Sequence, residues 1–260
     1  MSLVLEKLTA TGNDFLIVDN REDRQLDALS HAARSVWAKK LCDRHFGIGA
    51  DGLVILEKSA QADLSWDFYN ADGSPAEMCG NAARCVGCWH LGQNPGVKSF
   101  SLETAVGVIK IEALERNSFA IQMPHILESR FQQEIKMGSQ SLAYSYIDSG
   151  VPHVVLKMPF QVPEELDKEL AQKLRNHSDF KPRGANITFY SPLTDSQIRC
   201  VTFERGVEDF TLSCGTGAIA AGYVYFKEVK RGEIQVLVPG GTLTVKYLPQ
   251  GPQLIGPAIK

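Results

Sequence analysis

Two short stretches decide the reading of this chain: Met78-Cys79-Gly80-Asn81 and Ser213-Cys214-Gly215-Thr216, whose cysteines stand 135 residues apart, about half of the 260-residue length. Each Cys-Gly opens a run with helical character, Ala82-Ala83-Arg84-Cys85-Val86-Gly87 in one half and Gly217-Ala218-Ile219-Ala220-Ala221-Gly222 in the other. The same offset relates Phe68 to Phe203, Asn70 to Arg205, and Gly49-Ala50-Asp51 to Gly184-Ala185-Asn186. Thr104-Ala105-Val106-Gly107 matches Val238-Pro239-Gly240-Gly241 with a slip of one residue. A period this long is no solenoid unit; it is the size of a whole domain. Two like domains that face each other bring two cysteines to one cleft from opposite sides.

Working outward, residues 5–20 read as strand, tight turn at Thr11-Gly12-Asn13-Asp14, and strand. Residues 26–43 have helical spacing, with Leu29, Ala32, Ala33, Val36, Trp37 and Leu41 on the inward side. The glycine-rich turn Phe46–Gly52 leads into a strand over 53–56, and a strand over 64–70 ends in the turn Asn70-Ala71-Asp72-Gly73. A helix runs from Cys79 to about Trp89, and strands over 99–103, 106–113 and 119–123 close the half. The second half repeats the order: a turn within 144–153, a helix over 163–175, strands over 186–190 and 199–205, the helix after Cys214, and strands over 233–238 and 242–248. The fold class predicted is α+β: two pseudo-symmetric α/β domains, 1–117 and 118–260, each a curved mixed sheet wrapped around a central helix. The boundary leaves the last residues free to return to the first domain. No low-complexity linker separates the halves, so their junction is expected to be tight.

Composition narrows the function. Hydrophobic residues make up 44% and charged residues 22%, an ordinary globular balance. A net charge of −3 gives no footprint for nucleic acid or an anionic membrane. No apolar run reaches membrane-span length and the first residues lack a signal-peptide layout, so the expected location is the cytoplasm. Six cysteines in such a chain read as reduced thiols.

A cysteine at the first turn of a helix has backbone N–H groups and the positive end of the helix dipole beside its sulfur, both of which favour thiolate. The glycine after each cysteine lets another group come close to the backbone. Asn81 and Thr216 are placed to cap the helix or reach a ligand, and a substrate carboxylate fits between two helix N-termini. Inverting a carbon that bears hydrogen takes one group to remove a proton from one face and another to deliver a proton to the opposite face. Two cysteines, one deprotonated and one protonated, supply that pair. Backbone dipoles aimed at the carboxylate stabilise the enolate-like charge as it develops. Cys42, Cys85, Cys88 and Cys200 have no repeat partner and are expected in or near the core. Cys85-Val86-Gly87-Cys88 has CxxC spacing, but a zinc site would need a second pair.

With these residues in view the chain resembles the diaminopimelate epimerase family, over nearly its whole length. The resemblance rests on Gly12-Asn13-Asp14-Phe15, Gly47-Ile48-Gly49-Ala50-Asp51-Gly52, Asn70-Ala71-Asp72-Gly73, Cys79-Gly80-Asn81-Ala82-Ala83-Arg84-Cys85, Glu204-Arg205-Gly206 and Cys214-Gly215-Thr216-Gly217. It implies a cofactor-independent, metal-free isomerase interconverting LL- and meso-diaminopimelate, with Cys79 and Cys214 as base and acid, trading roles with direction. The N–H groups near Gly80-Asn81 and Gly215-Thr216 would hold the reacting carboxylate. Asn13, Asn70, Asn186 and Arg205 would line the pocket, the last three on the distal amino-acid group, and Glu204 and His153 would sit by the reacting amino group. Asn13, Asn70 and Asn186 fall at turns or strand ends, where asparagine also bonds its own backbone.

Two departures from the family stand out. Where the family has Asn-Pro-His, this chain has Val151-Pro152-His153, and the repeat sets Val151 opposite Asn13. Losing one hydrogen bond to the distal carboxylate would cost about 1–3 kcal/mol if its partner stays unpaired, so a racemase of another amino acid such as lysine or histidine is the alternative. The family also runs on into a last strand holding a tyrosine of a dimer interface, whereas here the sequence stops at Gly256-Pro257-Ala258-Ile259-Lys260. A homodimer remains the expectation from the resemblance. From other classes, a thiol redox protein using Cys85 and Cys88 and an inactive amino-acid-binding module compete.

Overall fold

In a computed structural model of the chain, residues 3–114, 117–138, 140–159 and 167–260 are described. They fall into two units, Met1–Gln122 with Gly256–Lys260, and Met123–Ile255.

The first unit runs β1 (Leu5–Ala10), β2 (Asn13–Asp19), α1 (His31–Cys42), β3 (Gly52–Glu57), β4 (Leu64–Asn70), α2 (Gly80–Gln93), β5 (Ser99–Thr104), β6 (Gly107–Ala113) and β7 (Ser118–Gln122). Its seven strands lie in sequence order. Pairing is antiparallel except for β2–β3 and β4–β5, which are parallel. The two parallel steps are where the chain must cross over through a helix. The domain boundary expected after residue 117 therefore moves: β7 pairs with β6 and stays with the first unit. The final residues also belong there, since Ile259 bridges Thr9 on β1.

The second unit contains β8 (Glu128–Met137), β9 (Gln140–Asp148), β10 (Pro152–Lys157), α3 (Lys168–Arg175), β11 (Asn186–Thr194), β12 (Gln197–Glu204), β13 (Asp209–Thr211), α4 (Gly215–Val229), β14 (Glu233–Val238), β15 (Gly241–Leu248) and all of β16 (Gly251–Pro257) but its last two residues. Its order is β8-β9-β10-β11-β12-β14-β15-β16, with β13 paired to β12. Again two steps are parallel, β10–β11 and β12–β14. Strand for strand, β9–β12 and β14–β16 repeat β1–β7, while β8 and β13 have no counterpart.

Each curved sheet wraps its own helix, α2 against β1, β2, β6 and β7, and α4 against β9 to β12, β14 and β15. Helix and sheet approach closely because the repeat-related Gly87 and Gly222 have no side chain. A Cβ on Gly87 would lie 3.0 Å from Ile111 and Phe119, and one on Gly222 2.6 Å from the Tyr247 hydroxyl. Behind the sheets, α1 closes one apolar core with Leu16, Val18, Leu53, Ile55 and Tyr69, and α3 another with Val154, Ile187, Phe189 and Phe203.

Three expectations are corrected. Helix α1 begins at His31, not at residue 26, because Ser30 caps it by accepting from the Ala33 N–H. Its buried face is Arg34, Ala38 and Cys42, whereas Leu29 and Val36 are exposed. Arg34 is drawn inward by Glu57 and Asp67, which its guanidinium meets at 2.8 and 2.9 Å. The helix expected over 163–175 is described from Lys168, with Asp167 as its cap; residues 163–166 lie outside the described residues. Finally, the turn before β10 is one residue longer than its counterpart. Thr11-Gly12 join Ala10 to Asn13, but Ser149-Gly150-Val151 join Asp148 to Pro152. Sheet register thus sets Pro152, not Val151, at the repeat position of Asn13, and Val151 is the inserted residue.

Candidate active site

Each central helix starts with a cysteine where a Ser, Thr, Asp or Asn would ordinarily sit. Cys79 precedes α2 in extended conformation (φ −146°, ψ 119°), and Cys214 precedes α4 likewise (φ −112°, ψ 109°). Neither side chain caps its helix. The first turn closes on the cysteine carbonyl in both, from Ala83 N–H and Ala218 N–H at 2.9 Å. Cys79 is half-buried and Cys214 buried.

In the first unit a chain of side chains runs inward from the surface. Arg44 donates to Asp14 and Asp51, each at 2.7 Å. Asp51 in turn accepts from the Asn13 amide at 3.0 Å, and Asn13 accepts from Asn81. Asn81 accepts from Arg84 at 2.6 Å, and Arg84 also donates to Thr11 Oγ1 at 2.9 Å. Thr11 holds φ at 47°, an uncommon conformation for a β-branched residue. Burial pushes the Asp14 carboxyl up, but the bonds and charges of Arg44 and Lys7 together hold it down at about 2. Asn70, at the end of β4, is exposed and donates to Ser74 Oγ at 3.0 Å.

The second unit builds a different shell. His153 is fully buried and engaged at both ring nitrogens, Nδ1 with Thr188 Oγ1 at 2.8 Å and Nε2 with Thr216 Oγ1 at 3.0 Å. Thr216 Oγ1 lies 3.5 Å from the Cys214 sulfur, so one hydroxyl bridges imidazole and thiol. Thr188 continues to Thr202 at 3.2 Å. Burial, and then the Arg205 charge, pull the His153 pKa down to about 3, which keeps the ring neutral. Glu204 ends β12, and the short strand β13 exists beside it to bring Thr211, which donates to its carboxylate. The Glu204 carboxylate and the Cys214 thiol also influence each other electrostatically. Burial raises the Glu204 carboxyl, against the opposing effects of Thr211 and Cys214. Burial, and then the Glu204 charge, raise Cys214 well above an ordinary thiol, so it is held protonated.

Asn186 serves inside this shell. Its carbonyl accepts from the Arg205 N–H at 2.8 Å, and its amide lies 3.3 Å from His153 Nε2. The exposed Arg205 side chain donates to the Arg183 carbonyl at 2.5 Å. Gly217 is obligatory: a Cβ there would stand 2.3 Å from Thr202 Oγ1 and 3.3 Å from the Cys214 sulfur. Ser149 Oγ ties the Thr216 carbonyl at 2.9 Å.

Of the residues singled out in the sequence, Asn13 and Asn81 join the first chain of contacts, and His153, Asn186, Glu204, Thr216 and the Arg205 N–H join the second, whereas the Asn70 side chain bonds Ser74 apart from both. Thr11, Asp51 and Arg84 in the first unit, and Ser149, Thr188, Thr202 and Thr211 in the second, carry shell contacts that the sequence reading did not assign. The readable signal for Arg84 was a charge inside the apolar run Ala82–Val86. Cys42, Cys85 and Cys200 are buried and Cys88 half-buried. Burial raises all four thiols, Cys42 to about 11 and Cys200 to about 12, a poor setting for redox chemistry. Among the described residues no cluster of His, Cys, Asp and Glu has the make-up of a metal site, and no helix is long and apolar enough to cross a membrane.

Comparison with known proteins agrees with this layout. The sequence model of the family described as "Diaminopimelate epimerase" matches residues 6–124 and 145–259, one segment around each cysteine. The chain is 33% identical to the diaminopimelate epimerase of Aquifex aeolicus over 93% of its length and 88% of that relative. It is 35% identical to that of Methanothrix thermoacetophila, over 97% and 92%. Among solved structures, it is similar in fold to a hydroxyproline epimerase from Agrobacterium vitis (TM-score 0.71, 16% identity, 99% and 90% covered). A PhzF-family phenazine biosynthesis protein of Bacillus anthracis is likewise similar (TM-score 0.72, 14% identity, 100% and 97%).

Proposed function

We propose, from the premise that this chain belongs to the diaminopimelate epimerase family, that it inverts one α-carbon of LL-diaminopimelate to give the meso isomer, with the Cys79 and Cys214 sulfurs on opposite faces of that carbon. One observation carries the reading: both cysteines occupy the same N-terminal position of the repeated central helix. A thiolate takes the α-proton, and the C–H electron pair stays on the substrate, spread into the carboxylate. The thiol on the other face gives up its proton to that pair and is left as the new thiolate. Protons and electrons balance within substrate and two sulfurs, so nothing in the step calls on a cofactor or a metal.

Backbone N–H groups at Gly80-Asn81 and Gly215-Thr216 are the donors for the reacting carboxylate, where its charge grows. Glu204 offers an anion to the substrate ammonium, and His153, held neutral, fixes the Thr216 hydroxyl beside Cys214. Asn13 uses one amide N–H on Asp51; an amide carries two, and the second is offered to substrate. Asn70, Asn186 and Arg205 are assigned to the distal amino-acid group. A thiol–thiolate pair works only when reduced, and all six cysteines are free, which supports a cytoplasmic site of action.

Incubation with LL-diaminopimelate in heavy water tests the reading: the expected product is meso-diaminopimelate bearing solvent deuterium at the inverted carbon. Cys79→Ala and Cys214→Ala should each lower kcat by about 10³-fold or more; full activity in either contradicts the scheme. A second reading, a racemase of a related amino acid, is favoured by Val151, whose side chain gives no hydrogen bond. A strong preference for diaminopimelate over L-lysine and L-histidine, unchanged in Val151→Asn, would rule it out.

A further inference from the structure

Arg84 is the largest of the fully buried side chains, with no exposed surface. A guanidinium removed from water ordinarily takes a carboxylate partner. Among the described residues none pairs with it. Its acceptors are all neutral: the Asn81 side chain at 2.6 Å, Thr11 Oγ1 at 2.9 Å, and the carbonyls of Gly80 and Pro257, each at 3.4 Å. Two of these four belong to the residues that follow Cys79. Arg84 is thus anchored to the first turn of the helix that Cys79 opens, and its charge couples to Cys85 and then to Cys79.

The repeat position in the second unit is Ile219, buried and uncharged. The charge that acts on Cys214 is instead an anion, Glu204, held at the end of β12 by Thr211. One cysteine therefore opens a helix whose first turn holds a buried cation, and the other feels a carboxylate.

We propose that Arg84 is the counter-charge of the site: its buried guanidinium holds Cys79 as the thiolate of the resting enzyme, while the Glu204 carboxylate keeps Cys214 as the thiol. Arg84 is a positioning residue, since it acts through Cys79 and not on the substrate. The strained Thr11 and the Asn81 amide keep the cation in place. Burial pulls Arg84 down to about 10, against the opposing effect of Cys85 and Cys79, which still leaves it charged at neutral pH. Cys85, also near it, is fully buried, and burial pushes its thiol up. On the strands packed against α2, the other charges are already matched: Glu6 with Lys260, Asp14 with Lys7 and Arg44, Asp19 with Arg21, and Lys110 with Glu112. The consequence is directional: the enzyme at rest is set to abstract from the face that Cys79 covers.

The inference rests on the two-cysteine reading, yet alkylation needs no turnover, so its failure is distinguishable from a failure of that reading. Iodoacetamide labelling of the full chain, followed residue by residue by mass spectrometry from pH 5 to 10, gives a midpoint for each cysteine. The expected result is a Cys79 midpoint at least one pH unit below that of Cys214. In Arg84→Met the Cys79 midpoint rises by a unit or more, which is a fall of about tenfold in its labelling rate at neutral pH. The Cys214 midpoint stays in place, and Arg84→Lys restores much of the shift. A Cys79 midpoint equal to or above that of Cys214 in the unmodified protein, which needs no variant to fold, overturns the proposal. An unmoved Cys79 midpoint in folded Arg84→Met does so too.

Discussion

At the repeat position three residues beyond each cysteine, the first unit carries Ala82 and the second Gly217. Ala82 is fully buried and fits, whereas a methyl group at 217 would collide with Thr202 and press on the Cys214 sulfur. The pair shows how two halves with the same strand order diverge around their sulfurs. In the second half the sheet comes up against the helix start with three threonines and a histidine, and the thiol is sealed among them. In the first half asparagines and a buried arginine occupy that space, and Cys79 stays half-exposed. Duplicated architecture puts two sulfurs at equivalent places, and the shells around them are unlike.

Changing the carboxylate should disturb this contrast most. Glu204→Gln removes the anion that acts on Cys214 and the partner proposed for the substrate ammonium, with an expected loss of about 10²-fold in kcat/KM. The Cys214 labelling midpoint should fall, since the charge that raises it is gone. A midpoint that rises would show that Glu204 does not act on that thiol.

His153 gives the next effect, on stability. Its folded pKa of about 3 lies below the unfolded value of about 6.5, so the unfolded chain binds the extra proton first as pH falls. The stability contributed by the neutral ring is complete above pH 6.5 and drains away toward pH 3, with about 2 kcal/mol lost by pH 5. Urea unfolding at pH 7.5 and pH 5 should show a shallower pH dependence in His153→Gln than in the unmodified protein. Equal slopes would mean that the ring titrates normally.

The smallest effects belong to the pair that opened the comparison. Exchanging glycine for alanine inside a helix ordinarily stabilises by about 1 kcal/mol. Gly217→Ala should instead destabilise by about 1–3 kcal/mol, because the new Cβ would meet Thr202 Oγ1, which is buried and bonded to Thr188. Ala82→Gly should destabilise as well, by about 1 kcal/mol. Thermal unfolding of both variants checks the signs, and a more stable Gly217→Ala would contradict the packing described for Cys214.

The sequence alone carried the two cysteines, the central helices and most strands, because a repeat with matched Cys-Gly steps states the same fact twice. Strand β8 escaped it: Glu128, Ser129 and Arg130 are exposed and the strand has one fully buried residue, Ile135, so no apolar alternation marks it. Strand β16 was hidden by Gly251, Pro252, Gly256 and Pro257, residues that ordinarily break strands. The inward face of α1 was misread because its buried member is Arg34, a charge whose partners, Glu57 and Asp67, lie on other strands. Arg84 was legible only as part of a motif for a similar reason. What a buried cation does depends on which anions surround it, and the order of residues along one helix does not contain that. Asn186 was assigned to substrate, while its bonds to His153 and Arg205 depend on the β10–β11 and β11–β12 registers.

The central claim, that two different sulfurs serve the two faces of one carbon, is tested most directly by where deuterium goes in the first few per cent of reaction. With LL-diaminopimelate in heavy water, the account predicts about one deuterium per molecule of meso product and almost none in the recovered LL substrate, because the proton taken by one sulfur is not the one delivered by the other. Deuterium entering recovered substrate as fast as product would mean that a single group handles both faces, and would contradict it.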